Sequence, residues 1–379
     1  MAGRFACSSC AKDAGEAPRH YRCTECSGPL DFEGGPVSFP LEKIASRPAS
    51  MWRYAEALPS FGPPVSLGEP QTPLETVDLD GFPLQLKCDF CMPTGSYKDR
   101  GAALLMGYLK SIGVEEAVED SSGNAGAALA AYAARAGVRL KVFCPASASA
   151  GKLAQIRLYG AELVPIEGPR PRATEALLAY VEETGAVYAS HRWHPLFISG
   201  IKTLAWEIAE QSGWQAPDVV VCPVGAGSIL LGLYQGFNDL FNAGVIDSLP
   251  RLVAIQSKHV NPVARAFSAG SDTVEPITPE PTLAEGIALP GPVRGMQVIQ
   301  ALYRSGGTVV DVSEDEIVDG LRRLGQRGFC VEPTSAVVWH GVKRYVEKEG
   351  VEPDAKVVAV LSGHGLKAAE RLASVLTPR

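Results

Sequence analysis

Residues 139–190 read RLKVFCPASASAGKLAQIRLYGAELVPIEGPRPRATEALLAYVEETGAVYAS. Three short apolar runs, RLKVFCP, AELVPIEG and AVYAS, alternate with two longer stretches of helical character, AGKLAQIRLYG and PRATEALLAYVEETG, each closed by a glycine. Short apolar runs bounded by Gly and Pro read as strands, and helical stretches between them imply strand–helix–strand units of a parallel sheet covered by helices on both faces.

The alternation continues outward in both directions. Upstream, PLQLKCDF reads as a strand, GAALLMGYLKSIG as a helix and AGAALAAYAARAG as an alanine-rich helix. Downstream, GIKTLAWEIAEQSG is a helix, DVVVCPVG a buried-type strand and SILLGLYQGFNDLF a helix. RLVAIQS and TVVDVS are strands, EDEIVDGLRRLGQRG a helix, VKRYVEKEG a helix end and KVVAVLSGHG the last strand with its turn. The pattern predicts an α/β fold of two parallel-sheet lobes, with a ligand crevice between them at the carboxyl ends of the strands. A small N-terminal arm stands apart. The expected divisions are an arm over 1–45, a large domain over 46–100 with 205–379, and a small domain over 101–204.

With 379 residues, 46% of them hydrophobic and 20% charged, the chain can bury the cores of two lobes. The net charge is −7, the pI is near 5.5, and charges of both signs are mixed along the chain. This balance argues against nucleic acid or an anionic membrane as a partner. No apolar run approaches the ~18–20 residues of a membrane span, and MAGRFACSSC has no apolar secretory core. The expected location is cytoplasmic. Nine cysteines in such a compartment read as metal ligands, catalytic thiols or small buried apolar groups before disulfides.

Three loops carry candidate chemistry. PVGAGS, 223–228, follows an apolar strand and opens a helix. Gly225 and Gly227 free the backbone N–H groups to turn inward and Ser228 adds a hydroxyl, which suits a phosphate. DSSGNAG, 120–126, places Ser121, Ser122 and Asn124 at another helix start, where a carboxylate can sit. LSGHG, 361–365, puts Ser362 and His364 at the carboxyl end of the last strand. Lys98 in PTGSYKDRG, 93–101, lies where a loop turns into a helix. A helix N-terminus and burial both favour a neutral amine, and a neutral amine forms a Schiff base. A phosphate cradle, a carboxylate loop and this lysine together suggest pyridoxal phosphate.

PTGSYKDRG, SSGNAGAALAAYAARAG, GIKTLAWEIAE, PVGAGSI, GFCVEPTSA and LSGHGLK occur in that order. Together they resemble the threonine synthases and, more broadly, the pyridoxal-phosphate enzymes of the tryptophan synthase β type (fold type II). The resemblance covers roughly 65–370. It implies that Lys98 carries the cofactor and acts as the catalytic base, that Asn124 contacts the cofactor's 3′ oxygen, and that Ser121, Ser122 and Gly123 hold the substrate carboxylate. Gly225, Ala226, Gly227 and Ser228 would take the cofactor phosphate, and Ser362 would face the pyridine nitrogen. A hydroxyl there leaves the ring neutral, which suits loss of a β or γ leaving group better than long-lived carbanions. The implied function is lyase-type elimination or replacement on a small amino acid in amino-acid metabolism, with O-phosphohomoserine to threonine as the default. The implied assembly is a homodimer.

Several positions depart from the family. Met92 precedes Pro93 where the family has Asn, and NAG replaces an Asn-Thr pair. In YASHRWHPLFISGIKT, His191 and Arg192 stand where Asn-Ser would bind a substrate phosphate, and Phe197 stands where an Arg would. Losing charge-assisted contacts weakens phosphate binding unless Arg192 compensates. His191, Arg192 and His194 are therefore the candidates for the side-chain end of the substrate pocket, against the alternative of a surface turn. AEGIA, 284–288, resembles the threonine and serine ammonia-lyases, which places Glu285 toward the cofactor and makes a dehydratase the alternative activity. A catalytically silent metabolite-binding protein is the alternative of another class, and a zinc-dependent nucleic-acid binder a weaker one.

Cys7-Ser-Ser-Cys10 and Cys23-Thr-Glu-Cys26 form two CxxC pairs twelve residues apart. Four thiolates at this spacing fit a zinc-ribbon-like arm with a tetrahedral structural zinc, against the alternative of a ribbon that folds without metal. Cys88 and Cys91 also form a CxxC, read as a chance pattern of buried thiols. Cys144, Cys222 and Cys330 read as core.

Overall fold

Strand Arg139–Pro145 buries Leu140, Val142, Phe143 and Cys144 because it is a central strand with helices over both faces. It pairs in parallel with Glu162–Ile166 on one side and Glu116–Glu119 on the other, and Val187–Tyr188 completes the sheet. Helices Asn124–Ala136, Ala150–Leu158 and Arg170–Thr184 are the crossovers. The computed structural model describes residues 3–148, 150–352 and 354–376. Within it this four-stranded sheet belongs to a compact unit made of the residues up to Pro70 together with Lys98–Gly200.

A second compact unit comprises Gln71–Tyr97 and the residues from Ile201 onward. Its six-stranded sheet runs in the order Thr308–Val312, Arg251–Ser257, Val219–Pro223, Val357–Val360, Phe82–Lys87, Leu74–Leu79. The first five are parallel; Leu74–Leu79 closes the edge as the antiparallel partner of Phe82–Lys87. Val219, Val221, Val253, Ile255, Val357 and Ala359 meet Trp339 and Val342 of helix Pro333–Glu349 in the main core. A fully buried ion pair also sits in this unit. The Lys87 ammonium donates to Glu207 at 2.8 Å, to the Thr72 carbonyl at 2.7 Å and to Gln211 at 2.8 Å.

The domain boundaries differ from those expected. Residues 46–70 belong with the Lys98–Gly200 unit. One tie is Glu69, whose buried carboxylate accepts from Trp52 Nε1 (2.6 Å), Ser66 Oγ (2.6 Å), the Leu67 amide (2.8 Å) and, across to helix Asn124–Ala136, Tyr132 Oη (2.5 Å); Arg135 donating to the Ser66 carbonyl and the Phe61–Tyr108 ring contact are others. The N-terminal arm joins the same unit. It is a three-stranded antiparallel sheet in the order Asp13–Gly15, Arg4–Cys7, Leu30–Glu33. Its four thiols are unbridged and cluster, with Sγ separations of 3.4 Å for Cys7–Cys26, 3.7 Å for Cys10–Cys23 and 3.5 Å for Cys10–Cys26.

Two cysteine readings need correction. Cys91 and Cys330 are exposed, not core. Cys91 ends the single 3-10 turn Asp89–Cys91, and Cys330 lies in the loop after helix Glu314–Gly325. Cys88, Cys144 and Cys222 are buried, and burial pushes the Cys88 thiol up to about 12. No helix among the described residues is long and apolar enough to cross a membrane.

Candidate active site

The glycine loop 223–228 links the end of strand Val219–Pro223 to helix Ser228–Asn242. Gly227 has φ +85°, a left-handed conformation that side chains disfavour, and a Cβ there would lie 2.3 Å from Val298 Cγ2. A Cβ on Gly225 would lie 2.8 Å from Ile287 Cα. Both positions therefore require glycine. No side chain caps the helix that follows, so the amides of its first turn are left for an anion.

The end of the last strand meets the lysine loop within the same unit. Ser96 forms an antiparallel bridge with Gly363, and the Tyr97 amide donates to the Ser362 carbonyl at 3.0 Å. The Tyr97 hydroxyl lies 3.0 Å from Ser228 Oγ. Tyr97 thus ties the start of the glycine-loop helix to the last strand, and the next residue is Lys98. The Ser362 side chain is buried, with its Oγ 3.0 Å from Ser335 Oγ, which in turn accepts from the Gly363 amide at 2.9 Å. The Ser96 hydroxyl is buried without a hydrogen-bond partner among the described residues. Glu285, expected to face a cofactor, is exposed and its carboxylate accepts from Arg371.

Lys98 opens helix Lys98–Ser111 of the other unit. Asp99 and Arg100 are fully buried, so they are not a surface pair. The Lys98 ammonium stands 5.9 Å from the centroid of the Phe197 ring, which is itself fully buried. The 120–126 loop packs tightly onto its own helix: a Cβ on Gly126 would fall 1.8 Å from the Ser121 carbonyl oxygen. Ser121 is buried and its Oγ accepts from the Gly123 amide at 3.3 Å, while Ser122 and Asn124 are half-buried and Gly123 is exposed. Helix Asn124–Ala136 has no side-chain cap.

His191 and Arg192 are not a surface turn. His191 is 7% exposed, with Nδ1 2.6 Å from Glu119 Oε1. Arg192 Nη2 donates to Asp120 Oδ2 at 2.5 Å, and Thr174 (2.6 Å) and Tyr188 (2.8 Å) also donate to Asp120. Burial, with the neighbouring Asp120 charge, pushes the Glu119 carboxyl well above its usual range. Burial and the positive charges of Lys98, Arg192 and Arg170 push the His191 imidazole well below its own. Burial opposes ionisation of Asp120 too, but Arg192, Thr174, Arg170 and Tyr188 outweigh it and hold this carboxylate low. Oxygen and nitrogen atoms of Glu119, Asp120 and His191 are close enough together for a cation. The surrounding arginines and Lys98 already supply the positive charge. His194, the other candidate, caps the next helix by accepting from the Leu196 amide at 3.3 Å.

A family model described as pyridoxal-phosphate dependent enzyme matches residues 65–363. The chain belongs to the pyridoxal-phosphate dependent enzymes. It is similar to the threonine synthase of Methanocaldococcus jannaschii, with 34% identity over 374 residues, 95% of this chain and 92% of that one. The threonine synthase of Methanosarcina acetivorans is 32% identical over 370 residues, 95% of this chain and 91% of that one. Among solved structures, a T.th. threonine deaminase matches with a TM-score of 0.65 and 28% identity, covering 78% of this chain and 92% of that one. The enzyme is threonine synthase-like, with the mixed α/β parallel-sheet architecture of fold type II.

The residues present fit the cofactor. The glycine loop leaves space that any side chain would fill, the helix start behind it is uncapped, and an unpartnered buried hydroxyl, Ser96, lies two residues from the lysine. Motif matching singled out the glycine loop, Ser362 and Lys98. It missed Tyr97, Ser335 and Glu119. Tyr97 could have been flagged by its place beside Lys98; Glu119 and His191, 72 residues apart, carry no local signal.

Proposed function

We propose that this enzyme converts O-phosphohomoserine to threonine, releasing phosphate. The observation that carries the reading is the convergence on Tyr97, which ties the glycine loop and Ser362 to the chain immediately before Lys98. The likeness to threonine synthases along nearly the whole chain supports the substrate.

In this reading Gly225, Ala226, Gly227 and Ser228 hold the cofactor phosphate through backbone amides and the helix dipole. Lys98 carries the cofactor, Asn124 meets its 3′ oxygen and Ser362 offers its hydroxyl to the ring nitrogen. Bound there, pyridoxal phosphate supplies an electron sink that acidifies the hydrogen on the substrate's α carbon. Lys98 Nζ takes that proton and later returns one to the substrate. Phe197 covers one side of the amine and limits water there. Ser121, Ser122 and Gly123 receive the substrate carboxylate at the uncapped helix start. His191 and Arg192 form the leaving-group end, with Arg170 adding positive charge near it. Ser362, as a neutral hydroxyl, favours elimination and replacement over transamination. We propose as well that Cys7, Cys10, Cys23 and Cys26 hold a structural zinc ion in a closed tetrahedral site.

A second reading is a threonine or serine ammonia-lyase. It is favoured by the engagement of Arg192 with Asp120, which draws this guanidinium away from a substrate phosphate. The test is to mix the purified enzyme with O-phosphohomoserine, L-threonine or L-serine and assay phosphate, threonine and ketoacid. Phosphate with threonine is expected. Ketoacid alone would replace this reading with the second, and silence with all three would mean that His191, Arg192 and Phe197 mark a different amino acid with a β leaving group as substrate. Lys98→Ala is expected to abolish both turnover and the visible absorbance of the bound cofactor.

A further inference from the structure

We infer that the four-cysteine arm is a metal-dependent clamp that holds the 188–194 loop and thereby sets substrate affinity. The inference rests on the zinc and substrate-end readings above. The arm repeats one local design twice. In the first CxxC, the Ser9 amide donates to Cys7 Sγ at 3.4 Å, and Ala11, the residue after the second cysteine, has φ +58°. In the second, the Glu25 amide donates to Cys23 Sγ at 3.4 Å, and Ser27 has φ +59°. N–H groups aimed at sulfur stabilise thiolates. Zinc–sulfur bonds of about 2.3 Å give a tetrahedral S···S edge of about 3.8 Å. The observed separations of 3.4–3.7 Å are close to this. A four-thiolate tetrahedron selects a soft, tetrahedral ion, hence zinc. The cluster around the thiols is small, Cys7, Cys23 and Leu30 with Ala14 against them, so a bound metal contributes much of the order of the two knuckles.

The repeat extends to what the arm touches. Two residues before Cys7, the fully buried Phe5 ring packs edge-on to His194 (5.9 Å between centroids) and against Tyr108 (5.5 Å). Two residues before Cys23, the Tyr21 ring packs edge-on to Trp193 (5.4 Å) and Tyr188 (5.2 Å). Tyr188 donates to Asp120, the carboxylate that holds Arg192. The loop is therefore gripped on two sides. His191 and Arg192 point to the buried acids, while Trp193 and His194 point to the two knuckle aromatics. Tyr21 and Phe5 are positioning residues that touch neither substrate nor cofactor in this assignment. Loss of the ion frees the strand that carries Phe5 and the loop that carries Tyr21 and lets His191 and Arg192 drift, while the glycine loop and Ser362 stay as they were.

The experiment uses the full-length holoenzyme. Zinc is measured by atomic emission, and hydrogen–deuterium exchange is followed on peptides spanning 188–197 and 219–231 for wild type, Cys10→Ser, Tyr21→Ala and Tyr21→Phe. The expected wild type carries about one zinc per chain. Cys10→Ser loses it, and exchange at 188–197 rises about tenfold with no change at 219–231. Tyr21→Ala keeps zinc but loosens 188–197 alike, and Tyr21→Phe, which keeps the ring, restores protection. With O-phosphohomoserine, KM rises about tenfold in Cys10→Ser and Tyr21→Ala at unchanged kcat and cofactor content. A zinc-free wild type, or variants with unchanged exchange at 188–197, would overturn the clamp. So would a fall in kcat or cofactor content with KM unmoved. If wild type turns over no O-phosphohomoserine, the substrate reading fails, and the zinc and exchange results decide the clamp without it.

Discussion

Replacing Glu119 by Gln interrogates the buried pair with His191 through proton counting. The folded pair holds one proton, because Glu119 is pushed above its ordinary 4.5 and His191 below its ordinary 6.5. The unfolded pair holds two protons below 4.5, one between 4.5 and 6.5, and none above 6.5. Stability therefore has a plateau between those values. As pH rises beyond it, unfolding releases a proton and stability falls by about 1.4 kcal/mol per pH unit, up to the raised value of Glu119. Below the plateau unfolding takes up a proton and stability falls again. In Glu119→Gln the folded site holds no proton, since His191 stays buried among Lys98, Arg192 and Arg170. The variant is then flat above 6.5 and loses stability below it. The difference, variant minus wild type, rises by about 1.4 kcal/mol per pH unit without a break from about pH 5 up to the raised value of Glu119. Urea unfolding midpoints of the two proteins across this range, with m-values compared, read it directly, and titrations elsewhere in the chain cancel. A flat difference would mean that Glu119 ionises normally in the folded enzyme and that no proton is stored at the pair.

Two further outcomes follow from the other unit. Gly227→Ala forces a side chain into a left-handed backbone and against Val298, with a strain of about 1–2 kcal/mol. Cofactor retention, read by absorbance after dialysis, is expected to fall about tenfold, and unchanged retention would contradict the phosphate role of the loop. Glu207→Leu removes the carboxylate that pairs with the buried Lys87 ammonium and leaves neutral partners such as the Thr72 carbonyl and Gln211 beside it. A loss of about 3–5 kcal/mol in urea unfolding is expected, and a loss below about 1 kcal/mol would mean that the ammonium finds water or sheds its proton.

Much of the architecture was readable from local pattern. RLKVFCP and RLVAIQS are strands over the residues predicted, because β-branched and apolar runs bounded by turns leave little choice of register. The glycine loop was readable because positive φ at Gly227 and close approach of the Ile287 backbone at Gly225 both select glycine. Placement of 46–70 was not readable, since it depends on long-range contacts such as Tyr132 with Glu69, Arg135 with the Ser66 carbonyl and Tyr108 with Phe61. The burial of His191 and Arg192 was hidden for the same reason. Their partners, Glu119 at the end of a strand far upstream and Asp120 just past it, are distant in sequence, and charged residues in a loop ordinarily face water. Cys330 misled because its neighbours are apolar while the thiol itself lies on the outside of a loop.

The contact at Gly126 has a consequence for how the carboxylate loop can evolve. Any β carbon there meets the Ser121 carbonyl oxygen at 1.8 Å, backbone against backbone, with no flexible atom to give way. Every single-nucleotide change that alters a glycine codon installs such a carbon or ends the chain. The position is thus closed to gradual change. A lineage shifting to a new amino acid would have to do so by varying the side chains around an immobile hinge of main chain. A laboratory library aimed at new substrates should hold 126 constant and spend its diversity on 191–194.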